Sequence, residues 1–252
     1  MTSIALIADI HGNLPALEAV VADISAQRVT RICNLGDHAS GPLWPAETVA
    51  FLMQQTAWVQ IAGNHDRQLG REDPSSHDAS DRFAFERLSQ AQIQWLAALP
   101  PTARVEPGIL LCHGTPTDDL APLLETVEGG RFRLARREEI VARLQGATAQ
   151  VIACGHTHAP RLAYLDDGTV LVNSGSVGLQ AFSDEAGGVR YIGETGAPHA
   201  RYALLDTDGT GWRVTLRAVP YDHASVARRA VANGSTAWAA ALRTGYALVS
   251  AV

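Results

Sequence analysis

Eight residues of this sequence carry side chains suited to holding divalent metals or moving protons, and they fall in five short segments: Asp9 and His11, Asp37, Asn64 and His65, His113, and His156 with His158. Each segment directly follows a short apolar run: Ile4 to Ala8, Ile32 to Leu35, Trp58 to Ala62, Ile109 to Cys112 and Val151 to Cys154. Taken singly, these signals are weak, since Gly63-Asn64 is ordinary turn chemistry and a loop histidine is usually just solvated. Taken together, they bring one chemistry to five strand ends. Setting His65 aside leaves two carboxylates, one amide and four imidazoles, a set too large for one ion and suited to two. Oxygen and nitrogen donors without a thiolate point to Mn²⁺ first and then Fe or Zn²⁺, with Ni²⁺ and Co²⁺ compatible, ahead of Ca²⁺ or a structural zinc. Two such ions about 3.5 to 4 Å apart would clamp the attacking and leaving oxygens of an in-line phosphoryl displacement and lower the pKa of a shared water. Even with a bridging hydroxide between them, the site would stay positive and receptive to an anion. The chemistry indicated is hydrolysis of a phosphate ester.

The elements that must position these residues alternate along the chain. Ile4 to Ala8 is a continuous apolar run, the pattern of a strand buried on both faces. Leu14 to Ile24 has helical spacing with Pro15 in its first turn. Strand, loop and helix repeat through Arg31 to Leu35, the Asp37 loop and a helix from about Pro45 to Gln55, and a third strand from Trp58 leads into Asn64. This alternation implies parallel strands joined by crossover helices, with the chemistry at the carboxyl ends where open α/β sheets bind ligands. Residues 67 to 81 are polar and turn-rich and are expected to form a mobile loop, with His77 and also His38 exposed. Phe83 to Leu99 reads as one helix stopped by Pro100-Pro101. Strands are expected near Arg104 to Glu106 and Ile109 to Cys112, a loop over Asp118 to Gly130 and a helix over Leu134 to Leu144. From Arg161 the chain turns to short, antiparallel strands, with a Gly-rich loop or hairpin over 181 to 200. A helical tail of two pieces, broken at Asn233-Gly234, spans about 222 to 246. No internal repeat or low-complexity linker is present.

Composition bounds the alternatives. At 252 residues with 46% hydrophobic, the chain suits one large core, and a single domain over 1–252 is expected. The 26 acidic residues outnumber 20 basic ones for a net charge of -6, and every basic residue is Arg. No cationic tract exists to track a long nucleic acid. Arg67, Arg71, Arg131, Arg133, Arg136 and Arg137 remain candidates for gripping single phosphates. The start has no export-signal pattern and no run reaches the roughly 18 residues of a membrane span, so a soluble cytoplasmic protein is expected, with no membrane partner and with homo-oligomerisation compatible. The three scattered cysteines, Cys33, Cys112 and Cys154, read as buried apolar residues in a reducing compartment.

The order Asp-x-His, Gly-Asp, Gly-Asn-His-Asp, His-Gly, Gly-His-x-His resembles the calcineurin-like metallophosphoesterases, especially their compact bacterial and archaeal branch. The motifs run from Asp9 to His158, with Asn173 to Val177 similar to a further family loop. The resemblance implies an α/β fold, a four-layer α/β/β/α sandwich of two mixed sheets. It assigns one metal to Asp9, His11, Asp37 and His158 and the other to Asp37, Asn64, His113 and His156, with Asp37 bridging. His65 is then not a ligand but the group that, with Asn64, meets the substrate phosphate, donating to its oxygen or protonating the leaving group, a role suited to an imidazole. One departure bears on this. Related protein phosphatases carry Gly-Asp-x-x-Asp-Arg-Gly, whereas here His38, Ala39 and Ser40 follow Gly36-Asp37. The Asp that would orient His65 is absent there, which argues against a protein phosphatase and leaves Asp66 or a backbone carbonyl as the candidate partner. Ser174, where relatives frequently have Pro, carries no assigned consequence.

The expected activity is hydrolysis of small phosphodiesters or nucleotide-like phosphate esters. Phosphomonoesters, cyclic nucleotides and dinucleoside polyphosphates stay open as alternatives. A third reading, a metal-binding scaffold without turnover like the retromer coat subunit of this superfamily, is disfavoured because His65 is retained here. Specificity is expected in segments 67 to 81, 115 to 137 and 181 to 200.

Overall fold

The computed structural model describes residues 2–186 and 188–248. In chain order its elements are β1 (Thr2–Ile7), α1 (Leu14–Ala26), β2 (Arg31–Asn34), α2 (Pro45–Met53), β3 (Val59–Gln60), α3 (Asn64–Arg71), α4 (Ala79–Phe85), α5 (Gln90–Ala98), β4 (Ala103–Val105) and β5 (Ile109–Leu111). There follow β6 (Glu125–Glu128), β7 (Arg131–Leu134), α6 (Arg137–Leu144), β8 (Val151–Cys154), β9 (Arg161–Tyr164) and β10 (Val170–Asn173). The last are β11 (Ala181–Ala186), β12 (Val189–Glu194), β13 (Ala200–Thr207), β14 (Trp212–Val219), α7 (His223–Ala232) and α8 (Thr236–Thr244).

Two mixed five-stranded sheets, ordered β14-β13-β1-β2-β3 and β4-β5-β8-β10-β9, stack face to face. In each, three parallel strands carry antiparallel strands outside them: β1, β2 and β3 in one sheet, β5, β8 and β10 in the other. The alternation of side chains decides which residue faces which layer. Ile4, Leu6 and Ala8 point into the sandwich toward Ile109, Leu111, Val151 and Val172, whereas Ala5 and Ile7 point outward under Leu17, Val20 and Ile24 of α1 and Leu52 of α2. Ile140 and Leu144 of α6 cover Leu110, Ile152 and Leu171 on the far side. The four layers expected from the family resemblance are therefore present, with a third, four-stranded sheet added, β11-β12-β7-β6.

Several local expectations are corrected. Residues 67 to 81 are not a loop: α3 runs to Arg71, a single 3-10 turn spans Pro74–Ser76, and α4 starts at Ala79, with Asp73 and Asp78 as N-caps. The expected helix from Phe83 to Leu99 is two helices, because Ser89 opens a capping box with Gln92 and restarts α5. Segment 118 to 130 contains β6, paired with β7, so α6 starts only at Arg137. His38 and His77 are buried, not exposed. The 181 to 200 segment is a hairpin, β11 and β12, and the tail forms α7 and α8 as expected. No helix among the described residues is long and apolar enough to cross a membrane.

Candidate metal centre

All five loops of interest leave the carboxyl ends of parallel strands from both sheets, and the backbone holds them against one another. Asp9 N donates to Gly36 O at 2.9 Å, His11 N to Asp37 O at 3.0 Å and Gly155 N to His113 O at 2.8 Å. A sixth loop, after β10, locks the first: Gly178 N and Ser176 Oγ both donate to Asp9 O, at 2.9 and 2.8 Å. Five residues of these loops, Asp9, His11, Asp37, His156 and His158, have φ between 51° and 70°. Non-glycine residues rarely take this left-handed conformation, and it costs of order 1 to 3 kcal/mol each. Only two other described non-glycine residues, Arg28 and Gln145, share it, so backbone strain is concentrated where the metal-binding side chain types lie.

Those side chains converge. His11 Nε2 lies 3.1 Å from His158 Nε2 and 3.8 Å from Asp37 Oδ2, while His158 Nε2 is 3.5 Å from Asp9 Oδ1. Beside this group, His113 Nε2 lies 3.1 Å from both Asp37 Oδ2 and Asn64 Oδ1, and His156 Nδ1 is 3.2 Å from Asn64 Oδ1. Asp37 Oδ2 thus sits between the two groups, and so does Asp9 Oδ1, 3.9 Å from His113 Nε2. All seven residues expected as ligands face one place.

The opposite ring nitrogens determine what that place requires. His11, His113 and His158 each direct Nδ1 at a backbone carbonyl, Ser40 O at 2.8 Å, Leu35 O at 2.8 Å and Leu179 O at 2.6 Å. A carbonyl only accepts, so Nδ1 carries the proton in all three, and in the neutral rings of His11 and His158 Nε2 presents a lone pair. Two such lone pairs meet at the His11–His158 contact. Facing lone pairs repel unless a cation lies between them. The electrostatics agree. Burial pushes the Asp9 carboxyl up to about 8, against the pull of His113. For Asp37, burial is outweighed by His113 and His65, and its carboxyl is held well below the usual range. Burial drives His11 and His158 down, and it brings His156 down to about 4 with help from His113. His113 is pushed up to about 9, since Asp37 overcomes the effect of burial. Apart from His113, protonated by its contact with Asp37, the buried imidazoles are neutral donors beside two carboxylates, and divalent cations fit the donor set.

His65 stands beside the centre, its ring 5.5 Å from that of His11. Its orienting partner is neither Asp66 nor a carbonyl. His65 Nδ1 lies 2.9 Å from Asp81 Oδ1, and Asp37 together with Asp81 overcomes burial to push its pKa up to about 10. Asp66 ties the second and third loops together instead, accepting from Asp37 N, His38 N, Gly63 N and His38 Nδ1 at 2.8, 3.0, 2.9 and 2.6 Å. Asp81 escapes sequence reading because the polar, turn-rich segment 67 to 81 reads as a loop. The signal that could have found it is the Asp78-x-x-Asp81 capping pattern, which starts a helix and carries Asp81 on its first turn.

The centre opens into a cleft of about 360 Å³. Its walls include Phe182 of the hairpin and Trp238 of α8, the latter lying T-shaped against His11 at 5.9 Å. The tail contribution was also missed, since nothing in an Ala-rich helix reveals which loop it covers. None of the six arginines considered as phosphate grips lines the cleft. Arg67 pairs with Asp119 and Glu72, Arg71 holds the Ala97 carbonyl, Arg131 meets Glu194, Arg133 meets Glu128 and Glu139, and Arg137 meets Asp166. The three cysteines are free and buried.

The sequence and the fold resemble known proteins. The family model of the calcineurin-like phosphoesterase superfamily domain matches residues 2–196. A metallophosphoesterase from Sphaerobacter thermophilus has a similar structure at a TM-score of 0.72, with 23% identity over 96% of this chain and 98% of that one. A hypothetical protein from Pyrococcus horikoshii OT3 is similar at a TM-score of 0.73, with 19% identity over 98% of this chain and 100% of that one. An uncharacterized protein of Methanocaldococcus jannaschii is 41% identical over 70 residues, a stretch covering 27% of this chain and 28% of that relative's length. The chain belongs to the calcineurin-like phosphoesterase superfamily, a family of hydrolases acting on phosphate ester bonds.

Proposed function

We propose that this protein is a di-metal phosphodiesterase of small substrates, one ion held by Asp9, His11, Asp37 and His158 and the other by Asp37, Asn64, His113 and His156. The observation that carries the reading is the pair of buried, unprotonated ring nitrogens of His11 and His158 facing each other at 3.1 Å, each ring anchored from behind by a carbonyl. When bound, two divalent ions supply Lewis-acid charge to a phosphoryl group and acidify a water for attack.

The chain's own residues do the rest. Asp37 Oδ1 accepts from His65 N at 3.0 Å, so the same carboxylate that serves the metals fixes the start of α3. His65, with Nδ1 committed to Asp81, keeps a proton on Nε2 at neutral pH and lines the cleft. As the new bond from water oxygen to phosphorus forms and the ester P–O bond breaks, that Nε2 proton passes to the departing oxygen. A diester is favoured over a monoester because the cleft continues past the centre with room for a second ester group and adds no Arg or Lys for a second phosphate charge.

The test is removal of metal by chelation, add-back of Mn²⁺ with elemental analysis, and assay on bis- and mono-nitrophenyl phosphates. We expect metal-dependent turnover with diester preference, its loss together with bound metal in Asp37→Asn and His113→Ala, and retained metal with severely slowed turnover in His65→Ala. Full activity in either ligand variant would refute the assignment.

A further inference from the structure

Beyond the metal centre, the cleft has an unusual charge plan. Its deep end is positive once two divalent ions are offset by Asp9 and Asp37. Its mouth is negative: Asp78, Asp184 and Glu185 line it, no Arg is among the described lining residues of a chain that has no Lys, and the lining His65 is paired with Asp81. Between these ends lies an aromatic wall. Phe182 packs 4.7 Å from His158 and 6.1 Å from Tyr191, whose hydroxyl donates to Asp184 Oδ2 at 3.1 Å. Trp238 shares the Leu179 and Ala241 cluster with Phe182. A further observation points to a ligand here. Ser40 lines the cleft, and its fully buried hydroxyl has no hydrogen-bond partner among the described residues. A buried hydroxyl left unpaired costs free energy, which a phosphate oxygen beside His11 would restore.

We propose that the substrate is a zwitterionic phosphodiester: one phosphate at the metals, and on one ester arm an ammonium group that sits against Trp238 and Phe182 among the mouth carboxylates. Aromatic faces attract cations through the ring quadrupole, and carboxylates around them add to the attraction. The same charges repel polyphosphates, which would bring further anions to an acidic mouth. Trp238 lies outside residues 2–196, the span of the family match, while Phe182, Asp184 and Glu185 lie within it. The inference rests on the phosphodiesterase reading above.

The experiment compares two diesters of equal shape, p-nitrophenyl phosphorylcholine and its carbon isostere p-nitrophenyl 3,3-dimethylbutyl phosphate, on the Mn²⁺-loaded protein. We expect kcat/KM to favour the ammonium compound by about tenfold. The ratio should fall toward one in Trp238→Leu and in Asp184→Asn/Glu185→Gln, whatever each variant does to the absolute rate. A wild-type ratio near one, a ratio untouched by both variants, or preference for a dinucleoside polyphosphate would overturn the proposal. Calorimetric titration with phosphorylcholine and 3,3-dimethylbutyl phosphate asks the same question without turnover, and equal affinities would also overturn it. Absence of hydrolysis of every diester, bis-p-nitrophenyl phosphate included, would instead count against the phosphodiesterase reading and leave the binding comparison to decide this one.

Discussion

Asp81 Oδ1 lies 2.9 Å from His65 Nδ1, so the carboxylate that orients His65, the proposed proton donor, comes from the first turn of α4, 16 residues after it in sequence and not from the loop that carries Asp37. The side chain of Asp81 is buried and that of His65 is partly open to the cleft, which makes the pair a rigid mount for a moving proton. In Asp81→Asn the amide can present a donor where His65 needs an acceptor. We expect kcat to fall by about 10²- to 10⁴-fold with metal content unchanged. Elemental analysis alongside saturating kinetics checks this, and equal loss of metal would assign Asp81 a structural role only.

Asp66 makes a different prediction. It is fully buried and accepts three backbone N–H groups and the His38 ring. Asp66→Asn replaces one acceptor oxygen with a donor, leaving buried N–H groups unpaired. The cost should be about 3 kcal/mol or more in unfolding free energy, read from the denaturant midpoint, with weakened metal retention because Asp37 N is one of the freed donors.

Gly63 tests how tightly the centre is packed. Its φ of -90° suits any residue, so the demand is for space: a methyl group there would collide with Asp37 Oδ1. Gly63→Ala should destabilise by about 1 to 3 kcal/mol through overpacking and lower metal affinity about 10- to 100-fold by displacing the shared carboxylate. Metal titration of the variant would show this, and wild-type affinity would mean the loop can yield.

Glu125 gives a pH dependence. Its carboxylate is fully buried behind the Gly-His-Thr-His loop, accepting from Thr157 Oγ1 at 2.8 Å and from Arg161 Nε at 3.3 Å. Burial pushes its pKa up to about 7 despite those partners. A carboxyl with a raised folded-state pKa binds more protons folded than unfolded, so stability falls as pH rises from the unfolded value toward 7. Across that window the loss is on the order of 3 kcal/mol. Glu125→Gln should remove it: relative to the variant, the wild type becomes less stable between pH 5 and pH 8. Parallel unfolding curves at both pH values would contradict this.

The sequence by itself determined the strand ends. Short apolar runs followed by Asp, Asn or His are local patterns, and parallel strands with crossover helices bring all their carboxyl ends to one edge of each sheet, so the convergence of Asp9, His11, Asp37, Asn64, His113, His156 and His158 was legible before any coordinates. The helices α1, α2, α7 and α8 were legible for the same reason, that their apolar spacing and caps are written in consecutive residues. Tertiary structure alone decided the rest. Asp81 finds His65, Asp66 finds His38 and Trp238 finds His11 across chain separations that carry no periodic signal, because each contact depends on how two packed elements approach. Burial did the same for His38 and His77: polar residues in turn-rich segments read as solvated, and only the layers folded over them turned them into interior groups that need partners.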